Sequence, residues 1–388
     1  MAVRPAPPLA RAGNVDGSAA DELPSAEPHP ADVELTDRVE ARLRAYLADR
    51  RAEAIEIDPA FGEATAALET FVLGGGKRIR PTFAWWGWRG AGGSPDGPDA
   101  SAVLTAISAL ELIQAGALIH DDLMDASRTR RGRPTIHVAF AERHATAGWR
   151  GDPDRFGSAA AVLLGDLALV WADDMFRAAG LSVEAAGRAA EPWAAMRTEV
   201  LGGQYLDVLG QSRGDRSIDA ALRIDRYKTA AYTVERPLHL GAALAGAAPE
   251  LIAAYRKFGT DIGIAFQLRD DLLGVFGDPE VTGKPAGDDL REGKRTLLLA
   301  LATQEATRRG ARAAVAAIDA AVGNPDLDER DLDRIRALLD ELGAPQSIEQ
   351  RIAHLTQSAR EALTTVDVAE PAATRLVELA EAATRRTH

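Results

Sequence analysis

Three aspartates stand at spacings that suit metal chemistry. Asp121, Asp122 and Asp125 follow an apolar run over residues 103–119 that predicts a buried helix. At about 100° per residue, Asp121 and Asp125 lie on one helix face and Asp122 is rotated beside them. Stacked like charges cost a helix roughly 0.2–0.5 kcal/mol, and aspartate is a poor residue for a helix interior. A hard cation such as Mg²⁺, held by one or two carboxylates and completed by phosphates, would offset that cost.

An acidic helix end in solvent would explain this first motif equally well, and other parts of the sequence favour the metal. Asp270 and Asp271 again follow an apolar helical run. Three cations follow the glycine turn at residues 74–76, and four arginines crowd residues 128–133. The turn precedes a predicted helix, whose N-terminal N–H groups and dipole attract phosphate. The acidic pairs and the basic clusters together predict a cavity for magnesium and diphosphate.

Composition excludes several classes of protein. A net charge of −13 argues against a general nucleic-acid binder, which would present a basic face. The chain has no cysteine, so it has no disulfide and no thiolate metal site, as suits the reducing cytoplasm. We find no signal peptide and no uninterrupted run of about 20 apolar residues. These features predict a soluble, cytoplasmic protein without a membrane span.

The spacing of apolar residues predicts the architecture. They recur at helical intervals nearly throughout, and the alternation typical of strands is almost absent. Residues 1–31 are rich in proline, alanine and glycine and predict a disordered arm. No internal repeat or linker divides the rest of the chain. We therefore expect one all-α domain over residues 32–388, a single-domain helical bundle with a central cavity that collects the acidic and basic motifs.

Five stretches of the sequence resemble the trans-isoprenyl diphosphate synthases, the family of geranylgeranyl, farnesyl and longer polyprenyl diphosphate synthases. In the family's order they are GGGKRIRP (74–81), LIHDDLMDASRTRRGRPT (118–135), YKTA (227–230), FQLRDDLLG (266–274) and GKPAGDDLREGKRT (283–296). The resemblance implies the isoprenoid synthase fold, a homodimer and three Mg²⁺ ions. It also implies condensation of isopentenyl diphosphate with an allylic diphosphate, with trans geometry.

The resemblance implies a role for each matching position. Two Mg²⁺ ions that bridge the allylic diphosphate would be bound by Asp121 and Asp125, with support from Asp122. A third ion would be bound by Asp270, with help from Asp271 and Asp289. The allylic diphosphate would be contacted by Arg130, Lys228 and Lys294, with Thr229, Gln267 and Lys284 close by. The diphosphate of isopentenyl diphosphate would be bound by Lys77, Arg80, Gln114 and Arg131.

The implied chemistry needs no nucleophilic side chain and no general base. Metal ions and cationic side chains stabilise the leaving diphosphate, and the double bond of isopentenyl diphosphate attacks the allylic cation. The released diphosphate accepts the proton, and an apolar helical cavity excludes water. One position departs from the family pattern, because Gly274 stands where the second acidic motif usually ends in aspartate. We expect Asp270 to carry the metal there, with Asp289 and water nearby.

Product length is expected to depend on the residues four and five positions before Asp121. These are Ala117 and Gly116, whose small side chains leave the tunnel open. This favours geranylgeranyl diphosphate, with a longer polyprenyl diphosphate as the alternative. Farther down, the tunnel could be closed by Ile113 or by aromatic residues that could equally belong to the core, namely Phe83, Trp85 and Trp86.

Two other functions compete with this prediction. A class I terpene cyclase shares the fold and the first aspartate motif, but it does not need Gly-Gly-Lys-x-x-Arg, and its second metal site is an Asn/Ser/Glu triad. A non-catalytic subunit of a heteromeric synthase tends to lose motif carboxylates, and Gly274 is the only such hint in this sequence.

Overall fold

Local capping signals set the helix boundaries. The helix Pro59–Leu73 begins after Asp58, whose side chain accepts a hydrogen bond from the Ala60 N–H, and Pro59 occupies its first turn. It ends at Gly74. The cap, the proline and the glycine are all local signals, so the sequence around them is sufficient to set these bounds.

The computed structural model describes residues 29–277 and 287–385 and is helical over most of that length. The N-terminal half contains α1 (Pro30–Val33), α2 (Leu35–Ile57), α3 (Pro59–Leu73), α4 (Ile79–Gly90), α5 (Pro98–Ser108), α6 (Leu110–Met124), α7 (Ile136–Thr146) and α8 (Pro153–Arg177). The C-terminal half contains α9 (Val183–Arg213), α10 (Ile218–Ile224), a π-helix (Asp225–Glu235), α11 (Arg236–Ala245), α12 (Pro249–Phe276), α13 (Asp288–Arg291), α14 (Leu297–Arg308), α15 (Arg312–Ala321), α16 (Glu329–Glu341), α17 (Ala344–Thr364) and α18 (Ala372–Thr384).

The predicted all-α class is confirmed. Within the described residues the only strands are β1 (Thr129–Arg130) and β2 (Arg133–Pro134), an antiparallel hairpin directly after the first acidic motif. The predicted arm over residues 1–31 lies outside the described part of the chain, except for its last three residues. Two of these already belong to α1, since helical structure starts at Pro30.

The helix predicted through residues 103–119 is interrupted once. The structure ends α5 at Ser108 and restarts at Leu110, with a turn at Ala109. The buried Ser108 hydroxyl donates to the Leu104 carbonyl at 2.7 Å, a side-chain bond that bends helices, and the Ala109 N–H bonds to the Ala106 carbonyl three residues back. Periodicity alone could not show the break, because every residue around it is buried and apolar or small.

A π-helix joins α10 to α11. It runs from Asp225 to Glu235 and continues directly into α11. A π-helix is rare and tends to occur at functional sites, since its wider turn pushes residues out of the regular helical register. Here the π-helix carries Lys228 and Thr229 on its cavity side.

Two hydrophobic cores support the bundle. The larger one is built around α4, α5, α6, α8, α9 and α11, and the smaller one joins the C-terminal half of α12 to α14, α16 and α17. Two stretches, Pro98–Met124 and Pro153–Arg177, are long and apolar enough to cross a membrane. The first is largely buried in the larger core, and the two together do not indicate a membrane span.

Candidate active site

One cavity of about 950 Å³ collects the two acidic motifs and the basic clusters. It lies between α6, α9, the π-helix and α12, at the end of the bundle where α6 and α12 carry their aspartates. The two motifs meet here because Asp121 and Asp270 both line the cavity. Lys294 Nζ lies 3.5 Å from Asp125 Oδ2 and 3.3 Å from Asp289 Oδ1. The charged lining includes Lys77, Arg80, Asp121, Arg130, Arg131, Lys228, Asp270, Asp271, Asp289 and Lys294.

The two adjacent aspartates of the first acidic motif have different surroundings. Asp121 lines the cavity, and Lys228 donates to its Oδ1 at 3.0 Å. Asp122 is buried and accepts hydrogen bonds from Arg130 at 2.7 and 2.9 Å. The helical rotation places Asp122 beside Arg130, so Asp122 holds the Arg130 guanidinium. Its expected support of the metal stays a prediction.

The aspartates of the first motif respond differently to burial. Burial alone would raise the pKa of Asp121, but the ammonium groups of Lys228 and Lys294 and the Arg130 guanidinium hold the pKa below its ordinary value. Burial and the neighbouring Asp121 charge raise the pKa of Asp125 to about 6. The pair therefore contains one carboxylate that stays ionised in acid and one that takes up a proton as the pH falls to about 6.

The second acidic motif lies on α12. Asp270 and Asp271 both line the cavity, and Asp271, which is largely buried, accepts a hydrogen bond from Gln267 Nε2 at 2.7 Å. Gln267 in turn accepts from the Thr229 hydroxyl at 2.7 Å, so the π-helix and α12 are linked through these side chains. Burial, followed by the charges of Asp225 and Asp289, raises the pKa of Asp271 well above its usual range. The hydrogen bond from Gln267 thus fixes the buried Asp271 carboxyl beside Asp270.

Asp289 occupies the space that Gly274 leaves open. A Cβ built on Gly274 would overlap the Asp289 carboxylate. The Gly287 N–H also donates to the Gly274 carbonyl at 2.9 Å, which fixes the start of α13 against α12. A carboxylate from α13 thus takes the place where a side chain at position 274 would stand. Lys284 lies outside the described residues.

The glycine turn and the hairpin after α6 form a cationic wall. Lys77, Arg80, Gln114 and Arg131 all line the cavity, as predicted for one binding surface. Arg131 donates to the Gly75 carbonyl, so the two loops are joined. The Arg80 guanidinium lies 3.9 Å from the centre of the Tyr232 ring, and it donates to Thr233 at 2.9 Å. This wall faces the cavity with fixed positive charge.

Backbone strain concentrates at this wall. Arg78 and Arg131 have positive φ values of 48° and 53°, a conformation that side-chain-bearing residues rarely adopt and that tends to cluster at functional sites. Arg78 is buried and donates to Glu111 Oε2 at 2.7 Å, an ion pair that ties the start of α4 to α6. Each of the two strained residues directly follows a cavity-lining cation, Lys77 or Arg130.

Comparison with known proteins decides the family. The sequence matches the polyprenyl synthetase family over residues 63–336. It is 35% identical over 311 residues to the geranylfarnesyl diphosphate synthase of Aeropyrum pernix, a match covering 79% of this chain and 89% of that protein. The chain belongs to the polyprenyl synthetase family. It is therefore an enzyme, a prenyltransferase, and the predicted family, fold and reaction class are confirmed.

Solved structures of polyprenyl synthetases agree with this assignment. A geranylgeranyl pyrophosphate synthase from Corynebacterium glutamicum, complexed with isoprenyl diphosphate and magnesium, superposes with a TM-score of 0.87 at 48% identity, covering 91% of this chain and 99% of that one. A polyprenyl synthase from Caulobacter crescentus CB15, complexed with calcium and isoprenyl diphosphate, gives 0.71 at 28% identity, with 93% and 100% covered.

The donor groups of this polyprenyl synthetase fit magnesium that is completed by substrate. Among the described residues, no group of three acidic or histidine side chains is close enough to hold a metal ion alone. Mg²⁺ keeps several waters and is commonly bound by one or two carboxylates together with phosphates. Asp121 and Asp125 on one side and Asp270 and Asp289 on the other supply such incomplete sets of hard oxygen ligands.

Four cavity residues of this synthetase were not singled out in the sequence. Asp207 on α9 and Asp225 at the start of the π-helix are buried acids, and Tyr232 and Thr233 contact Arg80. Burial and the Asp207 charge raise the pKa of Asp225 to about 7. The sequence held one signal for Asp207 and Asp225, because an acidic residue on an otherwise buried helix face needs a charged or hydrogen-bonding partner.

The two positions expected to set product length have different surroundings. Ala117 lines the cavity. Gly116 instead lies where α6 crosses α8, and a Cβ there would come within 2.8 Å of Leu169 and 2.9 Å of the Gly165 carbonyl. Gly116 therefore serves the packing of α6 against α8, and its expected effect on product length stays a prediction. The three aromatic residues of α4 belong to the buried core and do not line the cavity. They are Phe83, Trp85 and Trp86.

Proposed function

We propose that this polyprenyl synthetase condenses isopentenyl diphosphate with an allylic diphosphate and that its product is geranylgeranyl diphosphate. The observation that carries the proposal is the single cavity lined by Asp121 of the first acidic motif and Asp270 of the second. Lys294 lies at the same place, in contact with Asp125 and Asp289. Two diphosphates need many positive charges, and the cavity has cations on several sides. The cavity can therefore bind two anionic substrates side by side for one reaction.

The allylic diphosphate is assigned to the side of the cavity between the acidic motifs. Three Mg²⁺ ions would be held there, two by Asp121 and Asp125 and the third by Asp270 with Asp289. When bound, the metal ions withdraw charge from the leaving diphosphate as Lewis acids. Arg130, Lys228 and Lys294 add positive charge around the same group. Asp122 keeps the Arg130 guanidinium in place through its two short hydrogen bonds.

The diphosphate of isopentenyl diphosphate is assigned to the cationic wall. Arg80 is held between Tyr232 and Thr233, and Lys77 is exposed and free to reach an anion as a point charge. Gln114 and Arg131 complete the wall. This placement puts the two diphosphates on different walls of one cavity, so the double bond of one substrate can reach the reactive carbon of the other.

The apolar part of the cavity is assigned to the growing prenyl chain. Ala117 on α6 and Val200 on α9 line it, and one turn farther from the aspartates Ile113 and Met196 are fully buried. One helical turn is about 5.4 Å, so these two larger side chains form a floor directly below the small Ala117. A wall with a small upper residue and a larger lower one favours a product of intermediate length, which supports geranylgeranyl diphosphate.

We further propose that the enzyme is a homodimer formed through α8. Phe156, Leu163 and Val170 are seven residues apart, so they lie on one helix face, and their exposed fractions are 36%, 67% and 57%. Contiguous exposed apolar surface marks an interface, and a heptad repeat suits the pairing of α8 with its copy. The cysteine-free sequence supports a cytoplasmic location.

The decisive assay uses the purified full-length chain with Mg²⁺, isopentenyl diphosphate and farnesyl diphosphate as allylic primer. We expect consumption of isopentenyl diphosphate and a product that migrates with a geranylgeranyl standard. Asp121→Ala and Asp270→Ala should each lower turnover by orders of magnitude with little change in Tm. Diphosphate release without isopentenyl consumption would indicate a cyclase, no turnover would indicate a non-catalytic subunit, and a longer product would indicate a polyprenyl synthase.

A further inference from the structure

Lys228 is held by two carboxylates from two different helices. Its Nζ lies 3.0 Å from Asp121 Oδ1 on α6 and 2.5 Å from Asp207 Oδ2 on α9. Asp121 faces the cavity and is one of the residues assigned to magnesium. Asp207 is buried, with 8% of its side chain exposed, and carries no role in the function proposed above.

The contact between the π-helix and α9 is built around this ion pair. A Cβ built on Gly203 would overlap the backbone of Tyr227 and Lys228, so only glycine permits the π-helix to lie this close to α9. Asp207 is one turn farther along the same face. Its other oxygen accepts from Gln211 Nε2 at 3.2 Å. Gly203 therefore fixes the backbone of Lys228, and Asp207 fixes its side chain.

The two carboxylates that bind Lys228 differ in which other ligands compete for them. A cation that binds Asp121 competes with Lys228 for that carboxylate, and an anion in the cavity competes for the ammonium. Asp207 borders the same cavity but is largely buried, is assigned neither metal nor substrate, and is bonded to both Lys228 and Gln211, so it keeps its hold on the ammonium in either case. A lysine ammonium has three donors on a flexible stem, and holding one of them directs the other two.

We infer that Asp207 is a positioning residue, which holds Lys228 so that its ammonium presents its remaining donors to the allylic diphosphate. The inference rests on the proposed function for the identity of that anion. Without Asp207, the Lys228 ammonium would pair with Asp121 alone. The enzyme would then keep its fold, but it would lose contact with the diphosphate and would shield a carboxylate assigned to magnesium.

The experiment combines Asp207→Asn, Lys228→Ala and the double variant in the full-length chain, with Asp49→Asn on the exposed face of α2 as the charge-matched control. We expect Asp207→Asn to raise KM for the allylic diphosphate about tenfold, the size of one charged hydrogen bond. KM for isopentenyl diphosphate should stay within about twofold, since that diphosphate lies on another wall. The double variant should be no worse than Lys228→Ala, because both changes remove the same contact.

Binding of inorganic diphosphate with Mg²⁺, measured by titration calorimetry, gives a second readout that does not need turnover. Asp207→Asn should weaken this binding to the same degree as Lys228→Ala, and Asp207→Glu, which keeps the charge, should restore part of it. Losses that multiply in the double variant would overturn the inference, as would a fall in Tm with unchanged binding. Failure of the wild-type chain to elongate any prenyl diphosphate would refute the proposed function but leave the binding comparison valid.

Discussion

The Asp289 carboxylate lies directly over Gly274, in the volume that a side chain at position 274 would fill. This relationship explains the one departure of the chain from the acidic pattern of its family. The carboxylate that the second motif lacks on α12 is supplied from α13, where Lys294 Nζ lies 3.3 Å from Asp289 Oδ1. Position 274 therefore has to be glycine for Asp289 to occupy its observed place.

Restoring the family residue should damage this enzyme. We expect Gly274→Asp and Gly274→Ala both to lower kcat by about ten- to hundredfold, because either Cβ displaces Asp289 by an ångström or more. Gly187→Ala on α9 is the matched control, since a Cβ there meets open space. It should leave kcat unchanged and raise stability by about 0.5–1 kcal/mol. Faster turnover of Gly274→Asp would show that the missing motif carboxylate is a defect.

Magnesium binding should weaken in acid through Asp125. Burial, with the Asp121 charge added, raises the pKa of Asp125 to about 6, so the carboxyl is protonated below that pH and ionised above it. Magnesium has to displace this proton, and the apparent Kd for Mg²⁺ with inorganic diphosphate should therefore rise about tenfold per unit below pH 6. Calorimetry on wild type and Asp125→Asn isolates this effect, because the protonation of diphosphate itself is common to both. Identical pH dependence in the two proteins would contradict the assignment.

Product length should respond to Ala117 and not to its neighbour. Ala117→Phe places an aromatic ring on the cavity wall, so we expect the main product to shorten from geranylgeranyl to farnesyl diphosphate with a geranyl primer. Ile113→Ala should lengthen it by lowering the floor. Gly116→Ala is the contrasting variant: its Cβ would press on Leu169 and the Gly165 carbonyl, so it should lower Tm more than it changes product length. Chromatography against chain-length standards measures each outcome.

The α8 interface can be tested by adding charge to its apolar face. Leu163→Glu should convert the dimer to a monomer, because two carboxylates would face each other across a two-fold pairing of α8. Val183→Glu is the control: this residue is 84% exposed in the first turn of α9, where a glutamate suits the helix dipole. Light scattering after size-exclusion chromatography gives the mass. A Leu163→Glu protein that remains dimeric would place the interface elsewhere.

Local signals in the sequence determined most of the helices and the two acidic motifs. Caps such as Asp58 and Gly74, and apolar periodicity before Asp121 and Asp270, depend only on neighbours in the chain. The grouping of Lys77, Arg80, Gln114 and Arg131 was also predicted, but from the family resemblance. Their common wall on the cavity agrees with that prediction.

Only the tertiary structure decided which side chains share a space. The position of Asp289 over Gly274, the salt bridge from Asp207 to Lys228 and the packing of Gly116 on α8 each join segments far apart in the chain. The π-helix belongs with them, because its register depends on the close approach of α9 at Gly203. Such contacts depend on how side-chain volumes and charges fit together in three dimensions. The spacing of residues along one helix therefore does not predict them.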